Sequence, residues 1–226
     1  DGDGDGDGDG DAGADGDGKF PVVAFAGTFA IYASCYLARN NAAVAKVAYG
    51  CALSTAHLAS ADASFLAAYT LSSFLFAPAS EKAGGWRVAC AGLLAAGLSQ
   101  AAVVALPGAA APDWRALAAC YALNGMAQGA LFPACKAVLA NSIPAAFRGK
   151  AIAAWSTSYY LGGVAATAIA SQLLGAGFGW RALYLLPACV LPLLALGLLP
   201  LDPGEGKQFG GRQAQAGGGG RQAARD

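Results

Sequence analysis

The chain has 226 residues, of which 56% are hydrophobic and only 12% charged, and its mean hydropathy is +0.46. Fourteen basic and fourteen acidic residues give a formal net charge of zero, and eight of the acids lie within the first seventeen residues. This composition excludes a water-soluble globular domain, and the lack of a basic face in the sequence excludes nucleic acid as a partner. We therefore expect an integral membrane protein embedded in the lipid bilayer.

Low-complexity segments occupy both ends of the chain. Residues 1–18 alternate Asp and Gly, which resembles the start of a calcium-binding loop, but no glutamate follows at the twelfth position of the registers that begin at Asp1, Asp3 or Asp5. We expect a disordered tail there, and a flexible cytoplasmic linker in the Gly/Gln/Arg-rich segment 202–226. The predicted organisation is a membrane bundle at 19–201 between two tails.

Between the tails, charged residues separate six apolar runs, each close to the roughly 20 residues that an α-helix needs to cross about 30 Å of hydrocarbon. The runs are continuous and rich in Ala and Leu, which favours helices over the alternating strands of a membrane barrel. The stretch 43–62 either prolongs the first helix or forms a loop. The sequence thus predicts an all-α membrane protein with transmembrane helices at 20–42, 63–80, 88–108, 116–139, 151–173 and 182–201.

The distribution of Lys and Arg predicts the orientation. If the amino terminus is cytoplasmic, ten of the fourteen basic residues lie on that side, which favours both termini in the cytoplasm of a multi-pass protein. Which membrane holds the protein is left open. Three Trp-Arg pairs at helix starts are expected to be interface anchors, with the indole at headgroup depth. They are Trp86-Arg87, Trp114-Arg115 and Trp180-Arg181.

The first helix carries polar residues on one face, because Tyr32, Tyr36 and Arg39 recur at i, i+4 and i+7. Two interpretations of Arg39 remain open from position alone. If the helix ends near Ala42, Arg39 is a snorkelling anchor at the interface. If the helix continues through Ala48, Arg39 lies near the middle of the membrane, where an arginine is tolerated facing a cavity and binding an anion.

The fourth helix combines a polar face with signs of close packing. Asn124 and Gln128 lie on one face, and Gly125 and Gly129 form a GxxxG pair that permits close helix approach. Pro133 is expected to kink this helix and to free a carbonyl that needs another partner.

The fifth helix aligns Trp155, Tyr159 and Gly163 on one face. This polar aromatic cluster predicts either a substrate cavity or helix packing.

Metal and enzyme chemistry are not expected. The six cysteines lack CxxC spacing, and the one histidine, His57, has no second ligand nearby, so we predict no metal site, disulfide framework or cofactor. The helices contain no pair of carboxylates and no nucleophile with a neighbouring base, so we do not expect an enzyme.

Two segments carry a resemblance to a known family. The stretch 36–41 reads YLARNN, and the stretch 124–163 contains N-G-x-x-Q-G-x-x-x-P, then R-G, then W-x(6)-G-G. Together they resemble the organophosphate:phosphate antiporters of the major facilitator superfamily, from about Phe20 to Gly206. The resemblance implies the amino-terminal six-helix half of that fold, built from 3+3 helix repeats, which works by alternating access around a central cavity.

The resemblance also implies roles for particular residues. Arg39 matches the first-helix arginine that binds the substrate phosphate, whereas Ser73 and Asn40 stand where bacterial members have cations, and Tyr159 stands in place of a histidine that contacts substrate. A degenerate form of the gating-loop signature remains as Glu81, Lys82 and Arg87. The substrate-binding residues expected on this basis are Arg39, Tyr32, Tyr36, Tyr69, Gln128 and Tyr159.

The function expected from the resemblance is exchange of a phosphorylated metabolite, such as a sugar phosphate or glycerol-3-phosphate, for inorganic phosphate. A second phosphate-binding arginine is expected from a seventh helix, so the predicted partner is a missing carboxy-terminal half or a second subunit. Because the only methionine is Met126, we expect that the chain does not begin at a translation start and is a fragment, an incomplete gene model or a processed product. Two alternatives remain open, namely a facilitator for another organic anion and a non-transporting, truncated membrane scaffold.

Overall fold

The computed structural model describes residues 21–203, and the regular structure in that range is entirely helical. Two short 3₁₀ turns, Gly50–Ala52 and Leu199–Leu201, follow the second and the last α-helices. The α-helices, in chain order, are α1 Val22–Cys35, α2 Leu37–Tyr49, α3 Thr55–Ala83, α4 Gly85–Ala105, α5 Trp114–Gly129, α6 Leu131–Ser142, α7 Ala145–Trp155, α8 Thr157–Gly175 and α9 Trp180–Leu198.

In three places a single residue separates two consecutive α-helices, and the two helices continue as one longer rod. Tyr36 lies between α1 and α2, Ala130 between α5 and α6, and Ser156 between α7 and α8, and all three keep right-handed helical dihedral angles. The described chain therefore forms six rods: rod 1 is α1–α2, rod 2 is α3, rod 3 is α4, rod 4 is α5–α6, rod 5 is α7–α8 and rod 6 is α9. The six-helix prediction is confirmed in number and order.

The uncertain stretch 43–62 divides between two rods. Rod 1 continues to Tyr49 and ends at Gly50, whose positive φ of 54° suits glycine. Rod 2 begins at Thr55, after Ser54 accepts a hydrogen bond from the backbone N–H of His57 at 3.3 Å. The stretch thus prolongs the first helix and also starts the second.

Four rods are long and apolar enough to cross a membrane by length and composition, namely Val22–Tyr49, Thr55–Ser80, Gly85–Ala105 and Trp180–Leu201. Rods 4 and 5 carry the polar residues that the sequence analysis identified in the fourth and fifth helices. The predicted tails fall almost wholly on residues 1–20 and 204–226, which lie outside the described range.

The rods pack in pairs that show the expected internal repeat. Rod 2 packs chiefly against rod 4 and rod 1 against rod 5, whereas rod 3 packs about equally against rods 4 and 6. Exchanging rods 1, 2 and 3 with rods 4, 5 and 6 maps the pairs 1–5, 2–4 and 3–6 onto one another. The architecture is therefore a half of the 3+3 type, with both ends of the described chain at one end of the bundle.

The close packing of rods 2 and 4 depends on small residues. A Cβ atom added at Gly125 would lie 2.3 Å from the carbonyl oxygen of Phe65, and one at Gly129 would lie 2.4 Å from that of Tyr69. Pro133 cannot donate to the Gly129 carbonyl, and the hydroxyl of Ser73 donates to that oxygen at 3.1 Å. The predicted packing glycines and the predicted freed carbonyl are both confirmed.

The anchor interpretation was wrong for two of the three tryptophans. Trp86 and Trp180 are 0% and 3% exposed, and their indole N–H groups donate to the carbonyls of Leu198 and Ala109 at 3.0 and 3.2 Å. They lie at the ends of the bundle as predicted, but Trp86 joins rod 3 to rod 6, and Trp180 joins rod 6 to the connection between rods 3 and 4. Trp114 is the one of the three that is partly exposed.

Substituting Gly125 or Gly129 with Ala is expected to lower the free energy of unfolding by about 1–3 kcal/mol, because the added methyl group overlaps the backbone of rod 2. Thermal unfolding of the detergent-purified protein measures the effect. Gly197→Ala in α9 is the matched control, since its added Cβ meets no heavy atom within 4 Å. Equal melting temperatures for all three variants would contradict the packing role.

Candidate substrate-binding site

The depth of Arg39 follows from the length of rod 1. The span Val22–Tyr49 has 28 residues, and Arg39 lies about 15 Å along the helix axis from Tyr49. Since the hydrocarbon core is about 30 Å thick, this distance puts the α-carbon of Arg39 near mid-span. The interpretation that required rod 1 to end near Ala42 is excluded.

The guanidinium group of Arg39 is only partly satisfied. Its Nε donates to Oε1 of Gln128 at 3.0 Å, and its Nη1 donates at 3.4 Å to the hydroxyl of Tyr36. Its Nη2 is buried and has no hydrogen-bond partner among the described residues. A buried charged donor without a partner is costly, so the free edge of this guanidinium needs a partner that the described residues do not supply.

Three aromatic rings surround the same cation. The guanidinium carbon lies 4.9 Å from the ring centre of Tyr69, 5.0 Å from that of Tyr36 and 5.6 Å from that of Phe65. Aromatic faces attract cations without supplying a counter-charge. The rings therefore hold Arg39 in place and leave its positive charge available.

A chain of amide hydrogen bonds orients Arg39. The Nδ2 of Asn124 donates to the carbonyl of Ala38 at 3.1 Å, and the Oδ1 of Asn124 accepts from Nε2 of Gln128 at 3.0 Å. Because this bond uses the donor end of the Gln128 amide, its oxygen is left to accept from Arg39. This chain of hydrogen bonds starts at the Ala38 carbonyl on α2 and passes through Asn124 and Gln128 on α5. It returns to α2 at the side chain of Arg39, one residue after Ala38.

A second buried polar group lies behind this chain. Asn41 donates to Oε1 of Gln100 and to the carbonyl of Leu183, both at 3.0 Å, and Gln100 donates to the Ala38 carbonyl at 3.2 Å. These bonds join rods 1, 3 and 6. They fix the segment of rod 1 that carries Arg39 from the side opposite to Asn124.

Arg39 lines a cavity of about 280 Å³ between rods 1, 2 and 4. The cavity also contains a second basic residue and one acidic residue, Lys46 and Asp62, which form an ion pair. The lining residues are Ala38, Arg39, Ala42, Ala43, Lys46, Asp62, Phe65, Leu66, Tyr121 and Asn124.

The structure brings four of the six predicted site residues together, namely Tyr36, Arg39, Tyr69 and Gln128. Tyr32 lies further along α1, 6% exposed, with its ring centre 4.8 Å from that of Trp155.

Tyr159 lines a second, open cavity of about 640 Å³ and is not among the residues that line the Arg39 cavity. Tyr36 and Asn40 also line this cavity. Asn40 donates to the Gly163 carbonyl and to the hydroxyl of Thr167 at 3.0 and 3.1 Å, so its side chain joins rod 1 to rod 5.

Sequence reasoning missed three contributors to the Arg39 cavity. Asn124 was recognised as a polar residue on the Gln128 face, and its i, i+4 spacing was the signal that the two amides could bond. Lys46 and Asp62 are sixteen positions apart, within the stretch 43–62 that the sequence left between helix and loop. Nothing in the sequence paired them.

The predicted gating-loop residues lie where rod 2 ends and rod 3 begins, at the opposite end of rod 2 from Asp62. Arg87 is exposed and its Nε lies 3.3 Å from Oδ2 of Asp202, which ties the start of rod 3 to the segment after rod 6. Lys82 is exposed in the last turn of α3. The side chain of Glu81 lies outside what the structure describes.

Groups suited to a metal ion do not converge in the described part of the chain, where no cluster of three or more His, Cys, Asp or Glu side chains occurs. His57 stacks on Trp114 with ring centres 4.7 Å apart. Four of the cysteines described as free, Cys35, Cys90, Cys120 and Cys135, are buried in the helix packing.

A six-rod helical half with a cation in a mid-span cavity defines a membrane transport protein. The sequence model of the Major Facilitator Superfamily matches residues 24–224, and the chain belongs to that family. Members of the family are transporters, so this chain is part of a multi-pass transmembrane transporter. No curated protein matches the sequence.

Replacing Asn124 with Leu removes the donor to Ala38 and the acceptor for Gln128, and we expect the free energy of unfolding to fall by about 1–3 kcal/mol. Chemical or thermal unfolding in detergent measures the change. Asn141→Leu, near the end of the same rod and outside this chain of hydrogen bonds, is the control. The orienting role is contradicted if both variants unfold alike.

Proposed function

We propose that the chain forms the amino-terminal half of an exchanger that carries a phosphorylated metabolite against inorganic phosphate. The observation that carries the proposal is the free, buried Nη2 edge of Arg39 in a mid-span cavity. An oxyanion fits this edge because an arginine donates charge-assisted, bidentate hydrogen bonds to phosphate.

The electrostatics of the cavity favour an anion over a neutral solute. Lys46 and Asp62 neutralise each other, so Arg39 leaves the cavity with one uncompensated positive charge. An arginine at mid-span costs about 2.5–3.5 kcal/mol on insertion scales. A bound anion offsets that cost, whereas a neutral solute does not.

A phosphate dianion needs more positive charge than Arg39 supplies. We propose that a complementary six-helix half, on the same polypeptide or on a second subunit, faces rods 1, 2, 4 and 5 and contributes a second cation. Rocking of the two halves about the site gives alternating access without any covalent step. Both termini of this half are proposed to lie in the cytoplasm, where most Lys and Arg residues then fall.

Two positions depart from the antiporter pattern, and neither supplies a positive charge. The hydroxyl of Ser73 donates to the carbonyls of Tyr69 and Gly129 at 2.8 and 3.1 Å, so it holds rods 2 and 4 together and adds no charge. Tyr159 offers an aromatic ring and a hydroxyl in the neighbouring open cavity. Recognition of the anionic group therefore falls chiefly on Arg39.

Arg39→Gln in the complete protein is expected to lower the rate of radiolabelled phosphate exchange in proteoliposomes about 100-fold or more. The reason is that it removes the only uncompensated charge described in the cavity. Arg39→Lys keeps a charge but loses the planar fork, and we expect partial activity. Arg115→Gln is the control, since Arg115 lies over Trp114 at the end of rod 4.

Three results would contradict the proposal in different ways. Unaltered exchange in Arg39→Gln would remove Arg39 from the site. Exchange of a different organic anion that inorganic phosphate does not inhibit would favour the broader anion facilitator. A complete protein that inserts and folds but moves no anion would favour a non-transporting scaffold.

A further inference from the structure

The Arg39 cavity holds a second cation whose partner is internal. Lys46 and Asp62 form an ion pair between α2 and α3, and both side chains line the same cavity as Arg39. Lys46 follows Arg39 by seven residues, so the two cations lie on one face of rod 1, about 10 Å apart along its axis. One cavity therefore contains two positive groups and one carboxylate.

The two cations are held very differently. Arg39 is fixed by Gln128, Tyr36 and the surrounding rings. Lys46 has only the flexible lysine stem and the ion pair, in which the two side chains are 30% and 50% exposed. A half-exposed ion pair of this kind contributes little to the free energy of folding, so another anion can take the place of Asp62.

A structural role in joining rods 1 and 2 does not account for the ion pair of Lys46 and Asp62. Rods 1 and 2 are already joined by the short connection 50–54, and rod 1 is fixed from its other sides by the amides of Asn41 and Asn124. Lys46 lies about 5 Å along the helix axis from Tyr49, nearer the end of rod 1 than Arg39. An anion that approaches Arg39 through the cavity from that end therefore passes the ion pair.

We propose that Lys46 is a second anion-binding position and that Asp62 is its built-in competitor. Asp62 occupies the ammonium group when the cavity is empty, and a second acidic group on the substrate displaces Asp62 when the phosphate binds Arg39. This inference rests on the proposed function of Arg39. It narrows the substrate class to phosphorylated compounds that carry a further acidic group, such as a carboxylate.

The proposal requires opposite effects from the two partners. Lys46→Gln removes the cation and weakens binding of a substrate with two acidic groups. Asp62→Asn removes the competitor and tightens binding of the same substrate. A purely structural ion pair behaves otherwise, because either substitution breaks the same bond and both change binding in the same direction.

The experiment measures inhibition of radiolabelled phosphate exchange by two probes in proteoliposomes of the complete protein. Glycerol-3-phosphate and 3-phosphoglycerate differ only in that the second has a carboxylate in place of a hydroxymethyl group. We expect Lys46→Gln to raise the half-inhibitory concentration of 3-phosphoglycerate about tenfold, and Asp62→Asn to lower it, with glycerol-3-phosphate little changed in both.

Two further variants sharpen the test. Lys46→Arg keeps the cation and should retain the preference for 3-phosphoglycerate even if Lys46→Gln folds poorly. Lys136→Gln is the matched control, since this lysine lies over the ring of Phe132 at 5.0 Å on rod 4.

The results separate this inference from the proposed function. Effects of the same sign in Lys46→Gln and Asp62→Asn, or equal effects on both probes, would overturn the inference while exchange stays dependent on Arg39. Exchange that survives Arg39→Gln, or a wild-type protein that exchanges no phosphate, would overturn the proposed function and the inference with it.

Discussion

The arrangement of the cavity depends on the need to hold one arginine in the middle of a membrane protein. Arg39 donates hydrogen bonds to Gln128 and Tyr36, and three aromatic faces surround its guanidinium; these contacts compensate the loss of water without cancelling the charge. A carboxylate partner would have stabilised Arg39 more strongly, but it would also have competed with any anionic ligand. The site therefore uses neutral partners, and one edge of the guanidinium remains unpaired.

The packing of rods 2 and 4 follows from the same requirement. Gln128 can reach Arg39 only if rod 4 lies close to rods 1 and 2, and Gly125 and Gly129 permit that approach. Because Pro133 cannot donate to the Gly129 carbonyl, that oxygen accepts from Ser73, which joins rod 2 to rod 4.

Local and periodic features of the fold were predictable from the sequence. Run lengths gave six helices, the GxxxG pair indicated close packing, and i, i+4 and i+7 spacing put Tyr32, Tyr36 and Arg39 on one face. Features that depend on distant pairing were not predictable. Lys46 and Asp62 meet across the turn at Gly50. The buried indoles of Trp86 and Trp180 donate to carbonyls on rod 6 and in the connection between rods 3 and 4, so neither feature follows from local pattern. The depth of Arg39 depended on where rod 1 ends, which composition left open.

The most direct test of the account is a structure of the complete protein determined with inorganic phosphate. We expect an oxyanion within hydrogen-bond distance of Nη2 of Arg39, with the Gln128 and Tyr36 contacts preserved and a second cation on its far side. A carboxylate or carbonyl from elsewhere in the protein bonded to Nη2, with phosphate bound at another place, would contradict the claim that the free edge of Arg39 is an anion site.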